Sequence, residues 1–152
     1  MIKIKVATSV DAYLVGTNLR KEDERELTRS GQMDHLKVVM DSFRASTLCW
    51  VGYSDEGAVA IGGVTALDIP DVGAPWMLST PLLHKHFTKL LRVTKPYVAK
   101  MNEAYPILYN MTDIYNTKAI AWLQWAGFSL GDHVKLPTGF DFITFKKERK
   151  NV

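Results

Sequence analysis

Asn116-Thr117-Lys118-Ala119-Ile120-Ala121-Trp122-Leu123-Gln124-Trp125-Ala126-Gly127-Phe128 is the stretch whose reading decides the architecture of this chain. An Asn opens it and a Gly closes it, the residue types favoured at a helix start and at a left-handed C-terminal stop. Trp122, Leu123 and Ala126 fall between them as core-filling residues, so the pattern predicts a short helix over 116–126. The residues before it, Ile107 to Ile114, read as a strand. Those after it, Phe128 to Lys135 and Phe140 to Phe145, read as a closing strand pair around Pro137-Thr138-Gly139.

Upstream, Phe87, Leu90 and Leu91 and then Tyr97, Val98 and Met101 keep a helical period to about Ala104. Pro96 marks a kink or a second helix start. Thr80-Pro81 reads as the helix start, a cap residue followed by proline at the first helical position. Pro75 to Ser79 reads as a short buried strand after a loop from Asp68 to Pro75. This gives a β-α-β-α order, whose two strands should be parallel and should splay at their C-terminal ends. The expected pocket there is lined by Trp76, Leu78, Asn110 and Asn116.

The first half is different in kind. Ile2, Ile4 and Val6 alternate with lysines as in a half-buried strand, and Thr8 followed by Asp11 reads as a helix start. The run Arg20 to Glu26 has charges in register for helical pairs, closed by Gly31. Leu36, Val39, Met40 and Phe43 mark an amphipathic helix over 34–44. Thr47 to Tyr53 and Val59 to Ala66, joined by Ser54-Asp55-Glu56-Gly57, form a hairpin pattern. Gly62-Gly63 within it points to a bulge or a close backbone approach. Leu36, Val39, Met40, Phe43, Trp50, Ile61, Trp122 and Phe128 are expected to share one continuous core.

The 152 residues, 47% apolar and 23% charged, suit one globular domain, assigned here to residues 1–146 with a charged tail at 147–152. The formal charge of +3 does not make nucleic acid the default partner. Lys85, Lys89, Arg92, Lys95 and Lys100 give only a loose basic stripe along the sequence. One cysteine, Cys49, excludes an internal disulfide and points to a reduced compartment. No apolar run has the length of a signal or a membrane span, so a soluble, unprocessed protein is expected. His84 and His86 lack a third partner at metal spacing and read as surface residues, so no metal site is assigned.

The motif from Asn116 to Phe128 is similar to the GNAT acetyltransferase motif, in which an Asn after the fifth strand is followed three residues later by Ala and eleven and twelve residues later by Gly-Phe. The resemblance implies a mixed α/β (α+β) fold with a central twisted β-sheet flanked by helices, and acetyl-CoA or CoA as a possible cofactor. The wider pattern adds Asn18-Leu19-Arg20, Asp23-Glu24-Arg25-Glu26 and Trp76-Met77-Leu78-Ser79-Thr80. It resembles the GNAT-related internal virion or morphogenesis proteins of podoviruses. That implies a location in the host-cell cytoplasm or the virion, with other virion proteins or a host protein as partners.

Two departures bear on the chemistry. The family places a glycine-rich loop after the fourth strand to hold the cofactor pyrophosphate, whereas Leu78 to His86 contains no glycine. An anion could instead sit at the helix N-terminus, on the amides of Leu82 and Leu83 and the Thr80 hydroxyl. Trp76, Leu78, Ser79, Thr80, Leu82, Leu83, Asn110 and Asn116 are therefore the candidate cofactor residues. The family's tyrosine acid, seven residues after the motif Asn, is Leu123 here. Tyr115 or Tyr109 could substitute, Tyr115 being the better placed, and Glu26, Asp23 or Asp113 could be the general base. Two readings stay open: a virion-assembly scaffold with a degenerate acetyl-CoA site, and an N-acetyltransferase acting on an amine.

Overall fold

The computed structural model describes residues 1–150. The chain runs β1 (Lys3–Val6), α1 (Ser9–Gly16), α2 (Lys21–Arg29), α3 (His35–Ala45), β2 (Ser46–Ser54), β3 (Gly57–Ala66), β4 (Val72–Ser79), α4 (Leu83–Ala104), β5 (Ile107–Asp113), α5 (Thr117–Trp125), β6 (Ser129–Lys135) and β7 (Asp141–Glu148). The strands form one seven-stranded sheet in the order β1-β2-β3-β4-β5-β7-β6. Every neighbouring pair is antiparallel except β4 and β5, which are parallel as the β-α-β order requires.

Local chemistry accounts for the helix ends. Thr8 and Asp11 form a reciprocal capping box at the start of α1. After α5, the Phe128 amide bonds the Leu123 carbonyl at 2.9 Å and the Gly127 amide bonds that of Gln124 at 3.2 Å, with Gly127 at φ 95°. This paired closure requires a left-handed residue, which explains the Gly-Phe of the motif. Gly31, at φ 94°, closes α2 in the same way. Gly62 and Gly63 mark a close backbone approach rather than a bulge: a methyl on Gly62 would lie 2.9 Å from the Trp76 carbonyl, and one on Gly63 would strike that of Leu48.

The expected single core divides in two. Val39 and Ile61 pack with Ala12, Val15, Leu27 and Leu78 under α1, α2 and α3, with Met40 and Phe43 at the margin. Trp122 and Phe128 pack with Val98, Met101, Leu108 and Phe145 under α4 and α5, with Trp50 at the margin. The sheet separates the two groups because successive strand residues point to opposite faces. Three boundaries also move. Strand β4 begins at Val72 rather than Pro75, because pairing of Ala74 and Gly73 with β3 overrides their weak strand propensity. Helix α4 begins at Leu83 and continues unbroken through Pro96. Strand β7 runs on through Lys147 to Glu148, paired with β5, so the expected tail boundary at 147 falls inside a strand. Residues 151–152 of that expected tail lie outside the described residues.

Candidate functional site

Strands β4 and β5 pair only at Val72 with Ile107 and Gly73 with Leu108. Beyond these pairs β4 follows β3 to Ser79 and β5 follows β7 to Asp113, so the two diverge. Divergence of parallel strands opens a cleft at their C-terminal ends. A cleft of about 460 Å³ fills the gap, lined among others by Trp76, Leu78, Asn110 and Asn116, the four residues expected there. Its walls draw from both sides of the sheet: Leu27 and Val38 from the α2–α3 side, Met101, Trp122 and Leu123 from the α4–α5 side. The Asn110 side-chain amide donates to the Pro75 carbonyl at 2.9 Å and ties the two strands just above their last pair.

The open edge of β4 has distinct contents along its length. Thr80 directs its amide to Val59 of β3, while the Ser79 amide and carbonyl turn away from β3. By the two-residue alternation of a strand, Met77 also turns its N–H and C=O into the gap, where β5 no longer pairs with it. Ser79 is closed off. Its amide and hydroxyl donate to Asp23 Oδ2 at 2.9 and 2.7 Å, and its carbonyl accepts from the Arg20 amide at 2.9 Å.

Arg20 and Asp23 begin a buried polar strap across the end of the gap. The Arg20 guanidinium donates to Asp23 through Nε at 2.9 Å and Nη2 at 3.0 Å, and through Nη2 to Asn116 Oδ1 at 2.9 Å. The Asn116 amide in turn donates to Glu26 Oε1 at 3.2 Å. Glu26 Oε1 also accepts from the Thr112 hydroxyl and from the Asp113 amide at 2.9 Å. Side chains of α2 thereby connect the end of β4 to the end of β5. Arg20, Asp23 and Asn116 are 2%, 3% and 3% exposed. The charged run around α2 is therefore not a uniformly solvated face. Arg20 had no assigned role in the sequence reading: the (i, i+3) spacing to Asp23 was available, but burial was not legible from it.

Glu26 lines the cleft. Removal from water, helped by the nearby Asp23 charge, raises its pKa above the ordinary 4.5 despite its hydrogen bonds. All three of those bonds fall on Oε1, leaving Oε2 without a protein partner among the described residues. A carboxylate held this way can accept a proton from a group in the cleft.

The other candidates are placed differently. Tyr115 is 64% exposed, off the cleft, with its ring against the Arg29 guanidinium. Its position just after the strand end directs the side chain outward. Asp113 is buried but also outside the cleft; it accepts from Arg29 Nη1 at 3.1 Å and from the Tyr115 amide at 2.9 Å, as a turn residue does. Tyr109 is likewise outside the cleft wall, and no tyrosine is part of that wall. Leu123, 4% exposed, faces the cleft from within the core under α4 and α5.

The expected anion cradle after β4 takes another form. Thr80 is 1% exposed and its hydroxyl donates to the Ala58 carbonyl at 2.7 Å, so it does not cap α4. The Leu83 amide bonds the Thr80 carbonyl at 3.0 Å, and the Leu83 side chain is buried against Val59 and Leu90. Leu82 packs against the same cluster. Glu22 lies 3.1 Å from His84, and Glu56 lies 2.7 Å from Lys85 and 3.4 Å from His86. Carboxylates of the chain itself thus partner the basic groups of the first turns of α4. His86 is buried at 8% exposure, not a surface residue, because its helical position points it at the sheet.

A mixed seven-stranded sheet, one parallel splay and helices on both faces define the GNAT acetyltransferase fold. Solved structures of that class share it. The GNAT-family acetyltransferase from Streptococcus pneumoniae aligns over 99% of this chain and 100% of its own at 13% identity and a TM-score of 0.70. The ribosomal-protein-S18-alanine N-acetyltransferase from Escherichia coli aligns over 100% and 96% at 13% identity and 0.67. A GNAT superfamily phosphinothricin acetyltransferase from Sinorhizobium meliloti, solved with acetyl-CoA, aligns over 97% and 88% at 11% identity and 0.73. No protein-family model and no curated protein matches the sequence. Identities this low establish a common fold.

Proposed function

We propose that this chain is a GNAT-fold scaffold acting in phage virion assembly, with a degenerate acetyl-CoA site. The observation that carries the degenerate-site reading is the closure beyond Met77. The Ser79 edge is held by Arg20 and Asp23, the Thr80 hydroxyl and amide donate to the Ala58 and Val59 carbonyls of β3, and the Leu83 amide bonds the Thr80 carbonyl. A diphosphate needs several free amides converging on it. This turn keeps only the Leu82 amide without a backbone partner among the described residues, and the neighbouring His84 and Lys85 side chains already face Glu22 and Glu56. The diphosphate end of acetyl-CoA therefore does not fit the residues present. The virion setting is supported by the sequence resemblance alone, and the same reading takes the chain as a single domain that includes β7 through Glu148.

A second reading, N-acetyltransferase, is favoured by the open Met77 edge and the free Glu26 Oε2 in the cleft. In that reading Glu26 takes a proton from an amine, and Leu123 can supply none. Calorimetric titration with acetyl-CoA and with free CoA separates the two. The scaffold reading expects no heat at millimolar ligand; submicromolar binding with turnover of a model amine would replace it with the enzyme.

A further inference from the structure

Helix α4 is a 22-residue helix with two unlike sides. Leu83, Leu90, Val98 and Met101 are buried against the sheet. On the opposite side Lys85, Lys89, Arg92, Lys95 and Lys100 are all exposed. At about 100° per residue the five cations fall within about 140° of the circumference and extend over about 22 Å of axis. What is a loose stripe along the sequence is a continuous ridge in the fold. With these five cations and one carboxylate, Glu103, the helix carries a net +4, whereas the whole chain carries +3. The chain's positive charge is thus concentrated on one helix face.

Most of this charge is uncompensated. Lys85 pairs with Glu56, while Lys89, Arg92, Lys95 and Lys100 have no carboxylate partner among the described residues. Lys95 Nζ lies 4.3 Å from the ring centre of Trp125, which is 48% exposed beside the ridge. The other exposed residues between the cations, Thr88, Pro96 and Ala99, are small or polar. A membrane-surface helix would need its apolar side free to insert, and that side of α4 is covered by the sheet. A protein partner would need an apolar centre to its interface, and Trp125 alone does not provide one.

We propose that the α4 ridge binds the phosphodiester backbone of nucleic acid without sequence preference, independently of the cleft. About 22 Å of stacked nucleic acid carries about six phosphates per strand at about 3.4 Å each, ample partners for four free cations. Trp125 offers a base-stacking surface at the side of the ridge.

The test is fluorescence anisotropy of the full chain with a labelled oligothymidylate and, separately, a labelled duplex; the two arms tell a single-stranded from a double-stranded source. Four contacts at about 0.7 counterions each give a salt slope near −3 for the single strand, so affinity should fall about 60-fold between about 50 and about 200 mM salt. The variant Lys89→Gln/Arg92→Gln/Lys95→Gln, with its fold checked by circular dichroism, should bind more than roughly tenfold more weakly at the lower salt and show a slope near −1. No binding of either probe at low salt overturns the proposal, as does wild-type affinity in the folded triple variant. Tighter binding of a labelled polyglutamate than of both oligonucleotides overturns it in favour of an acidic protein partner.

Discussion

Replacing Asp23 with Ala removes the centre of the polar strap. Its Oδ2 accepts from Arg20 Nε, the Ser79 amide and the Ser79 hydroxyl at 2.9, 2.9 and 2.7 Å, and its Oδ1 accepts from Arg20 Nη2 at 3.0 Å. Truncation leaves a guanidinium that is 2% exposed, with Asn116 at 2.9 Å and Glu22 at 3.5 Å as its remaining side-chain partners. Breaking a buried ion pair from one side costs about 3–5 kcal/mol, because the surviving charge stays desolvated. For a chain of this length about 1 kcal/mol shifts Tm by about 3 °C, so a fall of about 9–15 °C is expected at neutral pH. Removing both charges should be milder: Arg20→Met/Asp23→Leu leaves no ion behind and should recover much of the loss. Circular dichroism melts of the wild type, the single variant and the double variant measure this. A fall of less than about 3 °C for Asp23→Ala, or a double variant less stable than the single, would refute a buried strap at the end of the gap.

Other outcomes follow from individual side chains. Because the folded pKa of Glu26 is raised, the native state holds this proton more tightly than the unfolded chain and loses stability as pH rises from 4.5 through the folded pKa. Glu26→Gln keeps the Oε1 acceptor without the charge, so it should melt above the wild type at pH well beyond that window, with the gap closing toward acid; parallel melting curves at all pH values would contradict it. Burial, with the Asp11 charge, pushes the Cys49 thiol up to about 12, so an aromatic disulfide reagent at mildly alkaline pH should label it only as the protein unfolds. Rapid labelling of the native protein would show the thiol accessible. A methyl added at Gly73 would lie 2.6 Å from the Tyr105 ring and 2.8 Å from Val64 Cγ2, so Gly73→Ala should lower stability by about 1–3 kcal/mol in urea unfolding. An unchanged midpoint would mean the last pairing before the gap tolerates displacement.

Much of the architecture was legible because its causes are local. The capping box at Thr8, the left-handed stops at Gly31 and Gly127 and the hairpin of β2 and β3 each require particular residues at short spacing. The β-α-β order around α4 carried further: it implied a parallel pair, and a parallel pair held only at its base leaves the cleft between Trp76 and Asn110. Boundaries were less secure at Val72 and Lys147, where strand pairing outweighs individual propensity.

The site itself divides along the same line. The residues of Arg20 to Glu26 and the Asn of the motif are visible in sequence as charges and a helix-start residue, and nothing within several positions of them says which are exposed. Only the tertiary structure brings Arg20 to Asn116, ninety-six residues away, and sets Ser79 between Arg20 and Asp23. It also turns Tyr115 outward, joins Thr80 to β3 instead of α4, and gathers the lysines of α4 on one exposed face. Sequence alone determined the elements, their order and the place of the gap, since backbone conformation answers to near neighbours. Which polar groups close that gap and which stay free depends on desolvation and on partners distant in the chain, and those exist only once the sheet and helices have packed.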